Sequence, residues 1–205
     1  MNKLHQIILL GLIVLIGACQ SSSKKGNQTE GKETAEQTAV KETPSEIDMA
    51  AFFKAALDGN IDQVELALEQ GADVNAMDES QHSALMLAAY NGHHHIIKVL
   101  LEKGAEVDAV DGMNRTPLMF ASTGPFVQAV ELLIQAGANV NAVDNHENWT
   151  PVMMAASEGQ LEVLKLLVAN GADLKMVDVD GESSLDFAKS KGHTEVVNYL
   201  QSKLK

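Results

Sequence analysis

From Ile47 onward, large apolar residues recur at spacings of three and four: Ile97, Leu100 and Leu101, then Val130, Leu133 and Ile134, then Leu164, Leu167 and Val168. That spacing puts each trio on one face of a helix. One short helical unit cannot bury such a stripe alone, so the pattern predicts units stacked on one another. Two further landmarks keep time with the stripes. Gly-Ala recurs at Gly71-Ala72, Gly104-Ala105, Gly137-Ala138 and Gly171-Ala172, at intervals of 33, 33 and 34, while Ser83, Thr116, Thr150 and Ser183 recur at 33, 34 and 33. A shared period of this length marks an internal repeat. The hydroxyls predict helix N-caps contributing about 1 kcal/mol each. Pro117 and Pro151 suit the first helical position, where no N–H is needed, and the glycines predict the left-handed residue that closes a helix.

Thr116-Pro117-Leu118-Met119 and Thr150-Pro151-Val152-Met153 resemble the Thr-Pro-Leu-His signature of ankyrin repeats. Gly71-Ala72-Asp73-Val74-Asn75-Ala76 and Gly171-Ala172-Asp173 resemble that family's repeat ending. The resemblance implies an all-α ankyrin-repeat solenoid over 47–205, with five helix-turn-helix units at about 47–78, 79–111, 112–144, 145–178 and 179–205, joined by short β-hairpin fingers. The outer units read as caps, which must turn a polar face outward. Ala50-Ala51-Phe52-Phe53 replaces the Thr-Pro pair in the first unit. In the fifth, Gln201 stands where earlier units have Leu101, Ile134 and Val168, and Asp186 where they have Met86, Met119 and Met153.

Two units depart from the pattern. Pro125 occupies the position of Gly59, Gly92, Gly159 and Gly192; proline cannot take a positive φ, so that turn must be rebuilt, with Gly124 as the residue to absorb the change. The fourth period has an extra residue in Asp144-Asn145-His146-Glu147-Asn148-Trp149, a longer finger carrying the chain's single Trp.

The N-terminus has a different grammar. Lys3 precedes an apolar run from Ile7 to Ile16, too short for a comfortable membrane span, and Gly17-Ala18 follow before Cys19, the only cysteine. This is the layout of a secretory signal, expected over 1–18. Ile16-Gly17-Ala18-Cys19 resembles the bacterial lipobox, which implies lipid attachment at Cys19, an acylated (palmitate-type) N-terminus and a place in the cell envelope. Gln20 in the second mature position, rather than Asp, implies the outer membrane facing the periplasm over the inner membrane in a Gram-negative host. Residues 19–46 are rich in Ser, Lys, Glu, Thr and Gln and poor in apolar side chains; they read as a lipid-anchored flexible linker.

The chain carries 15 basic and 28 acidic residues, a formal charge of −13. Residues 20–46 hold four Lys against five Glu, so nearly all of that charge lies on the repeats. It opposes binding to nucleic acid, and it raises the association rate with a partner that has a basic surface. No cofactor is expected and no metal site either. Consecutive helical residues point about 100° apart, which keeps His93-His94-His95 from closing on one ion. The Met86, Met119 and Met153 series reads as gap-filling core, its members about 10 Å apart in stacked helices. No nucleophile with a base beside it is visible, and the sequence does not read as an enzyme.

Ankyrin repeats bind proteins through finger tips and the inner face of their first helices. By position, the resemblance implies partner contacts at His82, Tyr90, Asn91, Met113, Arg115, His146, Trp149, Ser157, Glu158 and Glu182 on a monomer. Two functions remain open. One is a membrane-tethered adaptor or inhibitor of another envelope protein, an immunity protein being one version. The other is an accessory factor in oxidant defence or in haem or metal handling, for example supporting a catalase, as exported ankyrin proteins that resemble this one do.

Overall fold

A computed structural model describes residues 47–205. The expected signal at 1–18, Cys19 and the linker 19–46 lie outside the described residues. The hydroxyls of Ser83, Thr116 and Thr150 accept from the backbone N–H of Met86, Met119 and Met153 at 3.2, 3.4 and 3.3 Å. Each starts a helix, two of them with proline at the first position. Ten helices follow in five pairs among the described residues: α1 Met49–Asp58 and α2 Ile61–Glu69, α3 Ala84–Tyr90 and α4 His94–Glu102, α5 Pro117–Ser122 and α6 Val127–Gln135, α7 Pro151–Ser157 and α8 Leu161–Ala169, α9 Ser184–Lys191 and α10 Thr194–Lys203. Gly71, Gly104, Gly137 and Gly171, just past the second helices, all take φ near +90°.

The first helices stack on one another in one layer and the second helices in a second. Of each apolar trio, the first two members are fully buried and the third is half-buried at the edge. Met86, Met119 and Met153 are buried as well. Side chains stitch neighbouring units across the stack. His93 Nε2 lies 2.9 Å from the Leu57 carbonyl, Gln160 Nε2 donates to the Thr123 carbonyl at 3.3 Å, and His193 Nε2 lies 3.0 Å from the Ser157 carbonyl. A carbonyl only accepts, so in both histidines Nε2 holds the proton.

The third unit makes no such bond, because Phe126 stands in the histidine's place and its ring rests against Gly92 instead. The turn before it contains no left-handed residue: Gly124 keeps an ordinary φ. Pro125 cannot supply an N–H to the end of α5. The hydroxyls of Ser122 and Thr123 add side-chain donors in this last turn, to the carbonyls of Leu118 at 2.7 Å and Phe120 at 2.9 Å.

The terminal units are polar outward. Ala51, Lys54 and Asp58 of α1 face solvent while Phe52 and Phe53 are buried, and Asp48 caps the helix through the Ala51 N–H. In the last unit Gln201 is exposed, and Asp186 works as a cap partner where earlier units bury methionine. Its Oδ2 accepts from the Ser183 hydroxyl at 2.6 Å and the Ser183 N–H at 3.0 Å. Those two bonds, the hydroxyl's first, hold the Asp186 carboxyl below its ordinary value of 3.8 against the opposing effect of burial, with Lys189 adding in the lowering sense. A depressed folded-state pKa contributes stability that is present above the unfolded pKa and lost as pH falls through the folded one. The start of α9 is therefore expected to loosen as pH drops below the ordinary Asp range. Amide exchange over Ser184–Lys191 checks this, and Asp186→Asn should remove the pH dependence.

The fingers are tighter than the expected hairpins. Only Met77 with Ser83 and Val177 with Ser183 form antiparallel bridges, each a single one. The N–H groups that would extend a ladder are taken by an aspartate at the head of each finger.

Candidate functional site

Asp78, Asp111, Asp144 and Asp178 recur at the repeat period, and each folds its finger around one carboxylate oxygen. Asp78 Oδ1 accepts from the N–H of Ser80 and His82, both at 2.8 Å. Asp111 Oδ1 accepts from Met113 and Arg115 at 2.9 and 2.8 Å, and Asp178 Oδ1 from Asp180 and Glu182 at 2.9 and 2.8 Å. The long finger uses the same device with one more donor: Asp144 Oδ1 takes His146, Glu147 and Trp149 at 3.1, 2.9 and 3.3 Å. The extra residue is absorbed at the tip. An aspartate suits this role because its short side chain can accept from backbone two residues on. Backbone bonds then join tips across units, Asn145 N–H to the Met113 carbonyl at 2.9 Å and Val179 N–H to the Glu147 carbonyl at 3.1 Å.

This framework sorts the residues expected to meet a partner. His82, Tyr90 and Arg115 converge on one ring, Phe120 in α5. His82 and Tyr90 meet it edge-on at 5.6 and 6.3 Å, and the Arg115 guanidinium lies over it at 4.8 Å. His82 also stands 3.8 Å from both Asp78 and Asp111. It thereby bridges two fingers and remains half-buried.

Arg115 corrects the expectation of an exposed anchor. Its side chain is 10% exposed, and its Nε and Nη2 donate to Asp111 Oδ2 at 2.7 and 2.6 Å, against a carboxylate 2% exposed. The guanidinium neutralises a buried charge that the finger needs, with two of its donors committed to Asp111. Ser157 is a second correction: it is buried, and its carbonyl meets His193 of the next unit. Trp149 is half-buried with its ring 4.5 Å from Phe187 in α9, and its Nε1 is shielded from solvent with no hydrogen-bond partner among the described residues. It packs the long finger onto the last unit.

What faces outward is a different subset. Asn91, His146 and Glu182 are exposed, and Tyr90, Met113 and Glu158 are half-exposed. Asn91 also donates to the Leu57 carbonyl at 2.7 Å, which fixes its orientation. His146 lies beside Glu147 at 3.6 Å. The rings of His94 and His95 lie 4.0 Å apart, tilted at 41°, and among the described residues no group of three or more His, Cys, Asp or Glu side chains converges as a metal site would require.

Two features went unread in the sequence, although both carry the repeat period. The finger aspartates were visible as Asp78, Asp111, Asp144 and Asp178, and the residues before them as Met77, Val110, Val143 and Val177.

A family model described as "Ankyrin repeats (3 copies)" matches residues 52–144 and again 124–204. No curated protein matches the chain.

Proposed function

The chain belongs to the ankyrin-repeat family, and from that premise we propose that it is a protein-binding module tethered to a membrane of the bacterial cell envelope, acting as adaptor or inhibitor of another envelope protein. The family is one of interaction modules, and no catalytic family is indicated. The observation that carries the reading is the division of labour in the fingers. Aspartates, Arg115 and Trp149 are consumed in holding the tips rigid, which leaves Tyr90, Asn91, Met113 and His146 displayed on a preorganised surface. A rigid surface loses less conformational freedom on association than a mobile one.

Charge supports a basic partner. Beyond residue 46 the chain has ten basic and 23 acidic side chains, which accounts for all of its net charge of −13. Such a field steers a positively charged protein toward the fingers and disfavours nucleic acid. Attachment through Cys19 would hold the monomeric module at the membrane, because one acyl chain gives only marginal residence and two or more give stable anchoring. Cys19→Ser is expected to move the protein from the membrane fraction to the soluble fraction. Unchanged membrane retention would remove the lipid anchor from the account.

Cross-linking in the native host, followed by affinity purification and mass spectrometry, tests the binding itself. Wild type should capture one specific protein that Tyr90→Ala with His146→Ala loses, with the double variant still folded and its melt lowered only by the lost packing of Tyr90 against Phe120. Loss of folding would show these side chains to be structural, and equal capture by both forms would move the surface elsewhere.

A further inference from the structure

Of the large apolar side chains left exposed among the described residues, Leu66, Val127 and Leu204 stand apart on second helices or at the chain end, while the other five lie on the fingers. Met77, Val110, Val143 and Val177 are 36%, 45%, 40% and 49% exposed, and they occupy one position in four consecutive units, each directly ahead of a finger aspartate. Val179 extends the series at its end. The alternation along each finger explains the direction. The aspartate turns inward to collect backbone N–H groups, so the residue before it turns out. Single exposed apolar residues on a surface need no explanation. A row of them in register is a patch, and patches of this kind mark contact sites.

Neighbouring rungs share a concavity. Val110 and Val143 line one open groove of about 320 Å³ with Asp108, Asn114 and Asn139. The Asp108 carboxylate accepts from the Asn139 N–H at 3.0 and 3.2 Å, which locks the groove's two sides together. The surroundings are strongly acidic. Segments 73–82, 106–115, 139–149 and 173–182, which carry the ladder, expose eight carboxylates besides the four inward finger aspartates, against Lys175 and an Arg115 already paired with Asp111.

Resting on the protein-binding reading above, we propose that this ladder docks a cationic amphipathic helix of the partner, with apolar side chains seven residues apart seated between successive rungs. The spacing selects the helix. Stacked units repeat at about 10 Å, the distance between packed helices, and seven residues of α-helix rise about 10.5 Å and return to nearly the same face. Lys and Arg on the flanks of that helix meet the exposed carboxylates, such as Glu79, Glu106, Glu147 and Asp180, while its apolar stripe covers Met77, Val110, Val143 and Val177. This surface is distinct from Tyr90 and Asn91, which belong to the ends of the first helices.

The test uses the full chain and three synthetic 22-residue peptides in fluorescence anisotropy. One has Leu at every seventh position of a helix otherwise built of Lys, Arg, Ala and Gln. The second is a scramble of the same composition, and the third has Glu in place of Lys and Arg. The first peptide should bind at least tenfold more tightly than either control, and Val110→Ser with Val143→Ser should weaken it at least tenfold without shifting the thermal melt. Equal binding of peptide and scramble would reduce the effect to net charge and overturn the proposal. So would an unchanged affinity in the Val variant, or no binding of the first peptide. The two readings fail separately: a native partner captured equally by wild type and by Val110→Ser/Val143→Ser, but lost with Tyr90→Ala/His146→Ala, overturns the ladder and leaves the protein-binding function standing.

Discussion

Arg115→Ala is expected to destabilise the solenoid by about 3 kcal/mol, the lower end of the cost of stripping a partner from a buried ion pair. The pair with Asp111 is nearly solvent-free, and the carboxylate it would leave behind is 2% exposed. Two backbone N–H bonds, from Met113 and Arg115, still reach Asp111 Oδ1, which keeps the cost from being larger. The same substitution removes the guanidinium from the Phe120 ring. Urea unfolding checks the magnitude. Pairing Arg115→Met with Asp111→Asn should recover part of the loss, because the buried charge disappears with its partner. A loss below about 1 kcal/mol, the scale of an exposed pair, would mean that Arg115 is free to reach outward after all.

Gly92→Ala is expected to cost about 2 to 4 kcal/mol, from two causes acting together. Its φ is +69°, a conformation that an L side chain adopts only under strain, and an added Cβ would lie 2.2 Å from the Phe126 ring. The ring cannot retreat, since its other edge is equally close to where a Cβ on Gly124 would stand. Gly104→Ala is the control: φ is +88° there too, but nothing lies within 4 Å of the new atom. It should cost about 1 to 2 kcal/mol, the backbone strain alone. A double-mutant cycle of Gly92→Ala with Phe126→Ala should return a coupling of at least about 1 kcal/mol, as contacting residues do. If Gly92→Ala and Gly104→Ala cost the same, Phe126 does not hold the turn.

The architecture was legible because a stacked repeat writes its rules once per unit. Ser83, Thr116 and Thr150 could be read as caps, and Leu100, Leu133 and Leu167 as core, from spacing alone. The partner surface was less legible, because position on a finger does not reveal what a side chain does there. Arg115 stands where a displayed anchor would, yet Asp111, four residues earlier, draws it inward. Trp149 was singled out as the lone Trp in a longer finger, and its fate depended on Phe187, 38 residues away and in contact only once the units stack. The role of Phe126 was hidden in the same way, since the void it fills belongs to Gly92 of the preceding unit. Contacts within a unit follow from the local pattern. Contacts between units depend on both partners together.

Hydrogen exchange on the full chain, alone and with the partner captured by cross-linking, tests the central claim most directly. Bound partner should slow exchange along one side of the solenoid, in the fingers at 78–82, 111–115 and 144–149 and around Tyr90–Asn91. The second helices α4, α6 and α8 should be unchanged. Protection confined to those second helices would place the partner on the opposite face and contradict the account.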